Sequence, residues 1–298
     1  MKVLSEEEVR ERLQMRDLIP AMAEALRALS NGEVFQPLRT VLSVPEHEGF
    51  FGVMPARGRA LGAKLVTFYP RNKNIHTHHA MILLFRPETG EPLVAMDGRL
   101  ITEMRTAAVS AVATDLLARK NAQVLAIIGS GVQARSHLEA LRKVRDFEEV
   151  RVWSPRNAEL FAHNFNVRAV RSAERAVGDA DVIVVATSAT TPVVHGEWLQ
   201  PGTHINAVGA TRPDWRELDD EVMRRARIYV ESREAATAES GDVIAAAKPV
   251  VEIGDIIAKK ETGRESEHEI TLFKSVGVAV EDIAAAQLVW EKEQLQTS

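Results

Sequence analysis

The stretch from Ala122 to Leu141 constrains this chain most. An apolar run, Val124-Leu125-Ala126-Ile127-Ile128, leads directly into Gly129-Ser130-Gly131-Val132-Gln133-Ala134, and a helical pattern follows at once. The order is strand, glycine turn, helix, with G-x-G-x-x-A spacing. Gly129 permits the tight turn, Gly131 leaves the backbone open to a pyrophosphate, and Ala134 lets the helix pack close to the strand. The helix N-terminus, entered through Val132 and Gln133, offers N–H groups and a positive dipole end to phosphates. Glycine spacing alone is weak evidence, and a plain strand–helix turn is the other reading. Here a buried-strand run precedes the glycines and a helix follows, which is the context a dinucleotide site needs.

From residue 122 onward strands and helices alternate. Strands are expected at 124–128, 149–153, 167–170, 182–186, 204–208 and 227–230, the pattern of a doubly wound parallel sheet. The first 97 residues read differently. Ser5-Glu6-Glu7-Glu8 is a capping box before a short helix. A second helix is expected over 20–29, halted near Asn31-Gly32. Five strand-like runs follow at 34–44, 49–55, 61–69, 80–85 and 92–96, with a turn at Pro87-Glu88-Thr89-Gly90. Residues 98–117 form a helix rich in small side chains, read as the bridge between domains. After a separate strand-like run at 271–275, a last helix over 278–292 carries the stripe Val280, Ile283, Ala284 and Leu288. The expected fold is α/β. A Rossmann doubly wound domain spans 118–278, and a discontinuous α/β domain for substrate and dimerisation spans 1–117 and 279–298. Residues 245–269 give no clear pattern.

Composition narrows the function classes. With 37 basic and 42 acidic side chains the net charge is −5, and no basic block points to nucleic acid or membrane. No apolar run approaches the roughly 20 residues of a membrane span. No signal peptide is visible in the charged start MKVLSEEEV. The absence of cysteine excludes disulfides and thiolate metal sites and fits a cytoplasmic protein.

The tip of the second Rossmann strand bears on the choice of dinucleotide. An acid there bonds the ribose 2′-hydroxyl of NAD, whereas a basic residue accommodates the 2′-phosphate of NADP. Here the strand ends Val152-Trp153-Ser154-Pro155-Arg156-Asn157. There is no acid, and Ser154, Arg156 and Asn157 offer donors, so NADPH is preferred to NADH. The same residues also read as an ordinary helix start, with Ser154 as N-cap and Pro155 at the first position.

Three basic residues interrupt apolar elements outside that half: Arg39, Lys64 and Arg105. On a strand, Lys64 shares its face with Gly62, Val66 and Phe68. Each cation could point to solvent at a sheet edge or pair with a carboxylate such as Glu103. Together they suggest a pocket for a small anionic substrate, and arginine suits a carboxylate because it binds it bidentately. His76, His78 and His79 read as a loop at the pocket rim, with His78 as a substrate contact. No metal site is expected, since neither cysteines nor metal-ligand spacing accompany them.

These residues carry a resemblance over nearly the whole chain. Gln36-Pro37-Leu38-Arg39-Thr40, Lys64 to Tyr69, Met96-Asp97-Gly98, Arg105 to Ser110, Gly129 to Ala134, His204 to Asp219, Glu239 to Val243 and Phe273 to Gly277 resemble the ornithine cyclodeaminase/μ-crystallin family. They look most like its μ-crystallin, or ketimine reductase, branch. The resemblance implies a homodimer formed through the sheet of the discontinuous domain. It implies that Arg39, Lys64 and Arg105 hold the substrate carboxylate, that Phe68 lines the pocket, and that Thr187, Val208, Gly209, Ser275 and Gly277 line the cofactor. One departure matters. Cyclodeaminase and alanine dehydrogenase members carry aspartate two residues after the Val-Gly that ends the fifth Rossmann strand, and the μ-crystallin branch carries serine. Here that position is Thr211. Deamination needs a base, and a threonine hydroxyl is a poor one. Reduction of a preformed imine needs less, with Thr211 bonding the nitrogen and Lys64 or water supplying any proton. The expectation is therefore NADPH-dependent reduction of cyclic ketimine carboxylates. The alternatives are an amino-acid dehydrogenase or ornithine cyclodeaminase, and a NADPH-dependent small-ligand binding protein.

Overall fold

The computed structural model describes residues 1–297. The chain divides into two units, Met1–Arg105 with Gly277–Ser298, and Thr106–Val276. The division falls inside one continuous helix, Arg99–Leu117.

The first unit is built on a six-stranded sheet. Its strands are β1 (Lys2–Leu4), β2 (Thr40–Val44), β3 (Gly49–Arg57), β4 (Leu61–Phe68), β5 (His78–Phe85) and β6 (Pro92–Asp97), in spatial order β1-β6-β5-β4-β3-β2. Only the β1–β6 pair is parallel. Period-two alternation gives the sheet two unlike faces. Met54, Ala56, Gly62, Lys64, Ile82 and Leu84 are buried on one. That face lies under the C-terminal helix, Ala279–Thr297, which also packs on the helix Met15–Ser30. Gly62 makes the close approach possible: a Cβ there would stand 2.8 Å from Ile283 Cδ1. On the other face Leu42 and Met81 are exposed, and Phe51, Val53, Leu65 and Leu83 beside them are only partly covered.

Ser5 and Glu8 form the expected capping box on Glu6–Arg12. Other elements depart from expectation for identifiable reasons. The run over 34–44 is a strand only from Thr40, because Pro37 lacks an N–H and Phe35 makes just an isolated bridge to Arg57. The second helix begins at Met15, with Pro20 inside it, since Met15, Leu18 and Met22 are all buried on one side. The three-residue β1 is too short to read from periodicity.

The second unit is an eight-stranded, wholly parallel sheet. Its strands are β7 (Val124–Ile128), β8 (Glu149–Trp153), β9 (Arg168–Ala169), β10 (Val182–Val185), β11 (His204–Ala207), β12 (Arg227–Val230), β13 (Val251–Glu252) and β14 (Thr271–Lys274). The order is β13-β12-β14-β11-β10-β7-β8-β9. The chain runs outward through β7, β8 and β9, then crosses back to β10 on the other side of β7. That reversal is a topological switch point, and the crevice beyond the strand ends there is where such sheets bind ligands. The 271–275 run proves to be an interior strand, β14, between β11 and β12. β13 lies in the stretch that had no readable pattern.

Small residues on Arg99–Leu117 have their counterpart within this unit. Ala107, Ala108, Ala111 and Ala113 are fully buried. Their polar neighbours are satisfied there too: His137 Nε2 is 3.0 Å from Ser110 Oγ, and Asn206 Nδ2 donates to Thr114 Oγ1 at 2.9 Å.

Candidate functional site

In the second unit the glycine turn has the local geometry its sequence asked for. Gly129 has φ +117°, in the region that disfavours side chains, and a Cβ there would collide with the Ala186 carbonyl at the end of β10. Gly131 is the N-cap of the helix Val132–Leu141, and no atom lies within 4 Å of where its Cβ would be. Ala134 is fully buried. A turn closed on one side and open at Gly131, with unspent helix N–H groups, fits a pyrophosphate. Val132 is half exposed beside the opening, and the Gln133 carbonyl faces His137 Nδ1 at 2.7 Å.

The β7 and β8 tips are joined by side chains, with Ser130 Oγ 2.8 Å from Ser154 Oγ. The alternative of a helix starting at Pro155 is not what forms. Ser154 to Asn157 is a turn, closed by Asn157 N–H donating to Ser154 Oγ at 3.2 Å, and the helix runs Ala158–Phe165. Arg156 is exposed at the crest of that turn. On the far side of β7, Val208 N–H donates to Val185 O at 2.9 Å and Ser275 N–H to Ala207 O at 3.0 Å, so both continue the sheet ladder. Thr187 and Gly209 are bonded to Glu217, a residue the sequence reading passed over. Thr211 is partly buried two residues beyond Gly209.

In the first unit the three cations are brought together. Lys64 Nζ is 2.6 Å from Asp282 Oδ2. Arg105 donates from Nε to Asp282 Oδ1 at 3.0 Å and from Nη1 to Glu281 Oε2 at 2.7 Å. Arg39 Nη2 donates to Gly277 O at 2.7 Å. Glu103, on the same helix as Arg105, lies 3.6 Å from Arg99. Gly277 belongs to this cluster. Its φ is +73°, and a Cβ would come within 2.6 Å of both Arg105 terminal nitrogens. Glycine is thus what lets the chain cross the face of that guanidinium.

Glu281 and Asp282 were missed because their positions have an ordinary explanation. They occupy the first turn of the C-terminal helix, where acids complement the dipole. The available signal was two adjacent acids inside the otherwise apolar run from Val276 to Ala286. Glu281 Oε2 also accepts Val278 N–H at 3.3 Å, capping its own helix. Burial would raise the Asp282 carboxyl, but Arg105 and Lys64 outweigh it and hold it below the usual range. Burial pushes Lys64 down to about 8, with Asp282 opposing. His78 and Phe68 are paired across β4 and β5 on the Lys64 face. Burial and then Lys64 push His78 down to about 4, so it is neutral near pH 7. His79 follows on the opposite face, so strand alternation separates it from His78. Among the described residues no group of three His, Cys, Asp or Glu could hold a metal ion.

Lys64, Arg105, Glu281 and Asp282 are buried, and Arg39 is partly buried beside them on Gly277. The guanidinium forks of this cluster are of the kind that suits a carboxylate.

Comparison with known proteins agrees with this architecture. The model of the ornithine cyclodeaminase/mu-crystallin family matches residues 1–296. A ketimine reductase mu-crystallin from Mus musculus is 49% identical over 304 residues, covering 97% of this chain and 96% of its own. The solved Delta(1)-pyrroline-2-carboxylate reductase of Thermococcus litoralis, in complex with NADH and L-proline, superposes with a TM-score of 0.95 at 40% identity, covering 100% of this chain and 98% of its own. An archaeal alanine dehydrogenase dimer with bound NAD gives a TM-score of 0.94 at 36% identity over 100% of this chain and 97% of its own. With a Rossmann-type sheet in one unit, a mixed sheet in the other and a family match along almost its entire length, this chain belongs to the ornithine cyclodeaminase/mu-crystallin family.

Proposed function

We propose that this chain is an NADPH-dependent oxidoreductase that reduces the C=N bond of cyclic ketimine carboxylates, of the pyrroline- or piperideine-2-carboxylate type, to cyclic amino acids. The observation that carries this reading is the cluster of Lys64 and Arg105 on the buried Glu281 and Asp282, with Arg39 beside them on Gly277. The reductase names of the mouse and Thermococcus relatives support the same chemistry. Gly129, Gly131 and the Val132–Leu141 N-terminus would hold the pyrophosphate, and the Ser154–Asn157 turn the adenosine ribose. A dinucleotide bound there supplies the hydride.

The residues of the chain do the rest. Arg39 and Arg105 would hold the substrate carboxylate and so fix the imine, and orientation of this kind is a large share of catalysis. Lys64 would donate a proton to the imine nitrogen. Its position beside Asp282 keeps it charged despite burial, and its lowered pKa makes it a readier donor than an ordinary lysine. Phe68 and the neutral His78 would line the ring pocket. Thr211 would hydrogen-bond nitrogen but cannot act as the base that deamination requires. The apolar face bearing Leu42, Phe51, Leu65 and Met81 is the surface through which a homodimer would form.

The alanine dehydrogenase relative keeps oxidative deamination as the second reading. A panel of cyclic and acyclic imino acids separates them. NADPH oxidation should be fastest with the cyclic monocarboxylates. Ammonia release from alanine or ornithine at comparable kcat/KM would replace the proposal with the dehydrogenase or cyclodeaminase reading. Tight ligand binding without turnover would make the chain a binding protein.

Two predictions refine the account. Only the Lys64 ammonium can donate a proton, so kcat/KM should fall as pH rises through about 8. This limb should be the same for two substrates of different imine basicity, because kcat/KM reports groups of the free enzyme as well as of the substrate. A profile flat to pH 10, or a limb that tracks the substrate, would remove Lys64 from the proton path. Arg156 is the exposed cation on the β8 turn, so Arg156→Ala should raise the KM for NADPH about tenfold, the scale of one charge-assisted hydrogen bond, and leave that for NADH nearly unchanged. Equal losses with both cofactors would show that Arg156 does not read the 2′-phosphate.

A further inference from the structure

β10 and β11 leave the sheet side by side, with Val185 paired to Ala207. The chain then continues as Ala186-Thr187 from one and as Val208-Gly209-Ala210-Thr211 from the other. Both segments end on one side chain. Glu217, fully buried, accepts Thr187 N–H at 2.8 Å and Thr187 Oγ1–H at 2.7 Å on Oε1. On Oε2 it accepts Gly209 N–H at 2.7 Å and Ala210 N–H at 3.1 Å. Four bonds from two loops occupy its two oxygens. Gly209 is glycine because a Cβ would come 2.6 Å from the Glu217 carboxyl carbon.

The acid is itself fixed. Asp242 Oδ1 accepts the backbone N–H of Glu217 and of Leu218, each at 3.2 Å. Lys274, also fully buried, donates from Nζ to Ala207 O at 3.2 Å and supplies the positive charge that opposes the cost of burying Glu217 and Asp242. Backbone ladders join strands at far less desolvation cost. A buried carboxylate pays that cost and returns a loop geometry with little freedom.

Sheet order says which half of a dinucleotide these loops would serve. The order β8-β7-β10-β11 puts the glycine turn, and so the pyrophosphate, after β7. The tip of β8 is on one side of it, which is the adenosine side of such sites. β10 and β11 are on the other. We infer that Glu217 is a positioning residue for the nicotinamide half of the cofactor: it ties the ends of β10 and β11 into one rigid support on which that half rests. This rests on the reading of the second unit as dinucleotide-binding.

The test is equilibrium binding without substrate. NADPH and 2′,5′-ADP, which lacks the nicotinamide half, are titrated into the wild type and into Glu217→Gln. Where NADH is the tighter cofactor, NADH and ADP replace them. Glutamine keeps the shape but turns one acceptor into a donor that faces N–H groups. The variant should bind the full cofactor about tenfold more weakly and the fragment within about twofold, the scale of one or two hydrogen-bond contributions. Unchanged cofactor affinity, or equal loss for both ligands, would overturn the inference and leave Glu217 a general structural acid. A wild type that binds no dinucleotide at all would overturn the underlying reading as well. If Glu217→Gln does not fold, Thr187→Val removes one of the four donors, and the same selective loss is expected of it.

Discussion

The carboxylate of Asp282 is the interaction on which the first unit's buried cluster depends. One oxygen meets Lys64 and the other meets Arg105, and all three side chains are buried. None of these charges would be tolerable there alone. Removing one member of a buried pair typically costs about 3–5 kcal/mol, because the other is left desolvated and unanswered. The C-terminal helix therefore brings two acids back to the sheet from the far end of the chain. That return is why the unit has to be discontinuous in sequence. Gly277, just before the helix, lets the backbone pass Arg105 and gives Arg39 a carbonyl to bind.

The second unit meets a similar electrostatic problem in its own way. The cradle proposed for phosphate is backbone, with Gly131 open and helix N–H groups facing outward, so no side-chain charge has to be buried for it. The charges it does bury, Glu217, Asp242 and Lys274, hold loops. Both units thus spend buried charge on fixing geometry.

Much of this was legible in the sequence, and the exceptions follow a pattern. The β7 strand, glycine turn and helix were readable because each residue type answers a local steric demand. The parallel alternation from residue 122 was readable because period and spacing are local too. Arg39, Lys64 and Arg105 stood out because cations break apolar patterns. Their partners did not stand out. Glu281 and Asp282 look like routine first-turn acids, and Glu217 looks like a loop residue in Arg216-Glu217-Leu218-Asp219. What makes each special is a contact with residues remote in the chain, which no local pattern encodes. The same holds for β14, whose place between β11 and β12 is a fact of sheet order. At the Ser154 turn the local helix-start signal is met in part: Ser154 Oγ accepts Asn157 N–H, while the helix itself begins at Ala158.

The central claim is that Arg39, Lys64 and Arg105, held in place by Glu281 and Asp282, meet the carboxylate of a small substrate. Calorimetric affinities of the cofactor-loaded protein for pyrrole-2-carboxylate and its uncharged amide, pyrrole-2-carboxamide, test it most directly, measured in the wild type and in Arg105→Ala. The wild type should prefer the carboxylate by at least about tenfold, the scale of one charge-assisted hydrogen bond. In Arg105→Ala one cation of the cluster is gone, and the preference should narrow. A wild type that binds the amide as tightly, or a preference that Arg105→Ala leaves untouched, would contradict the account.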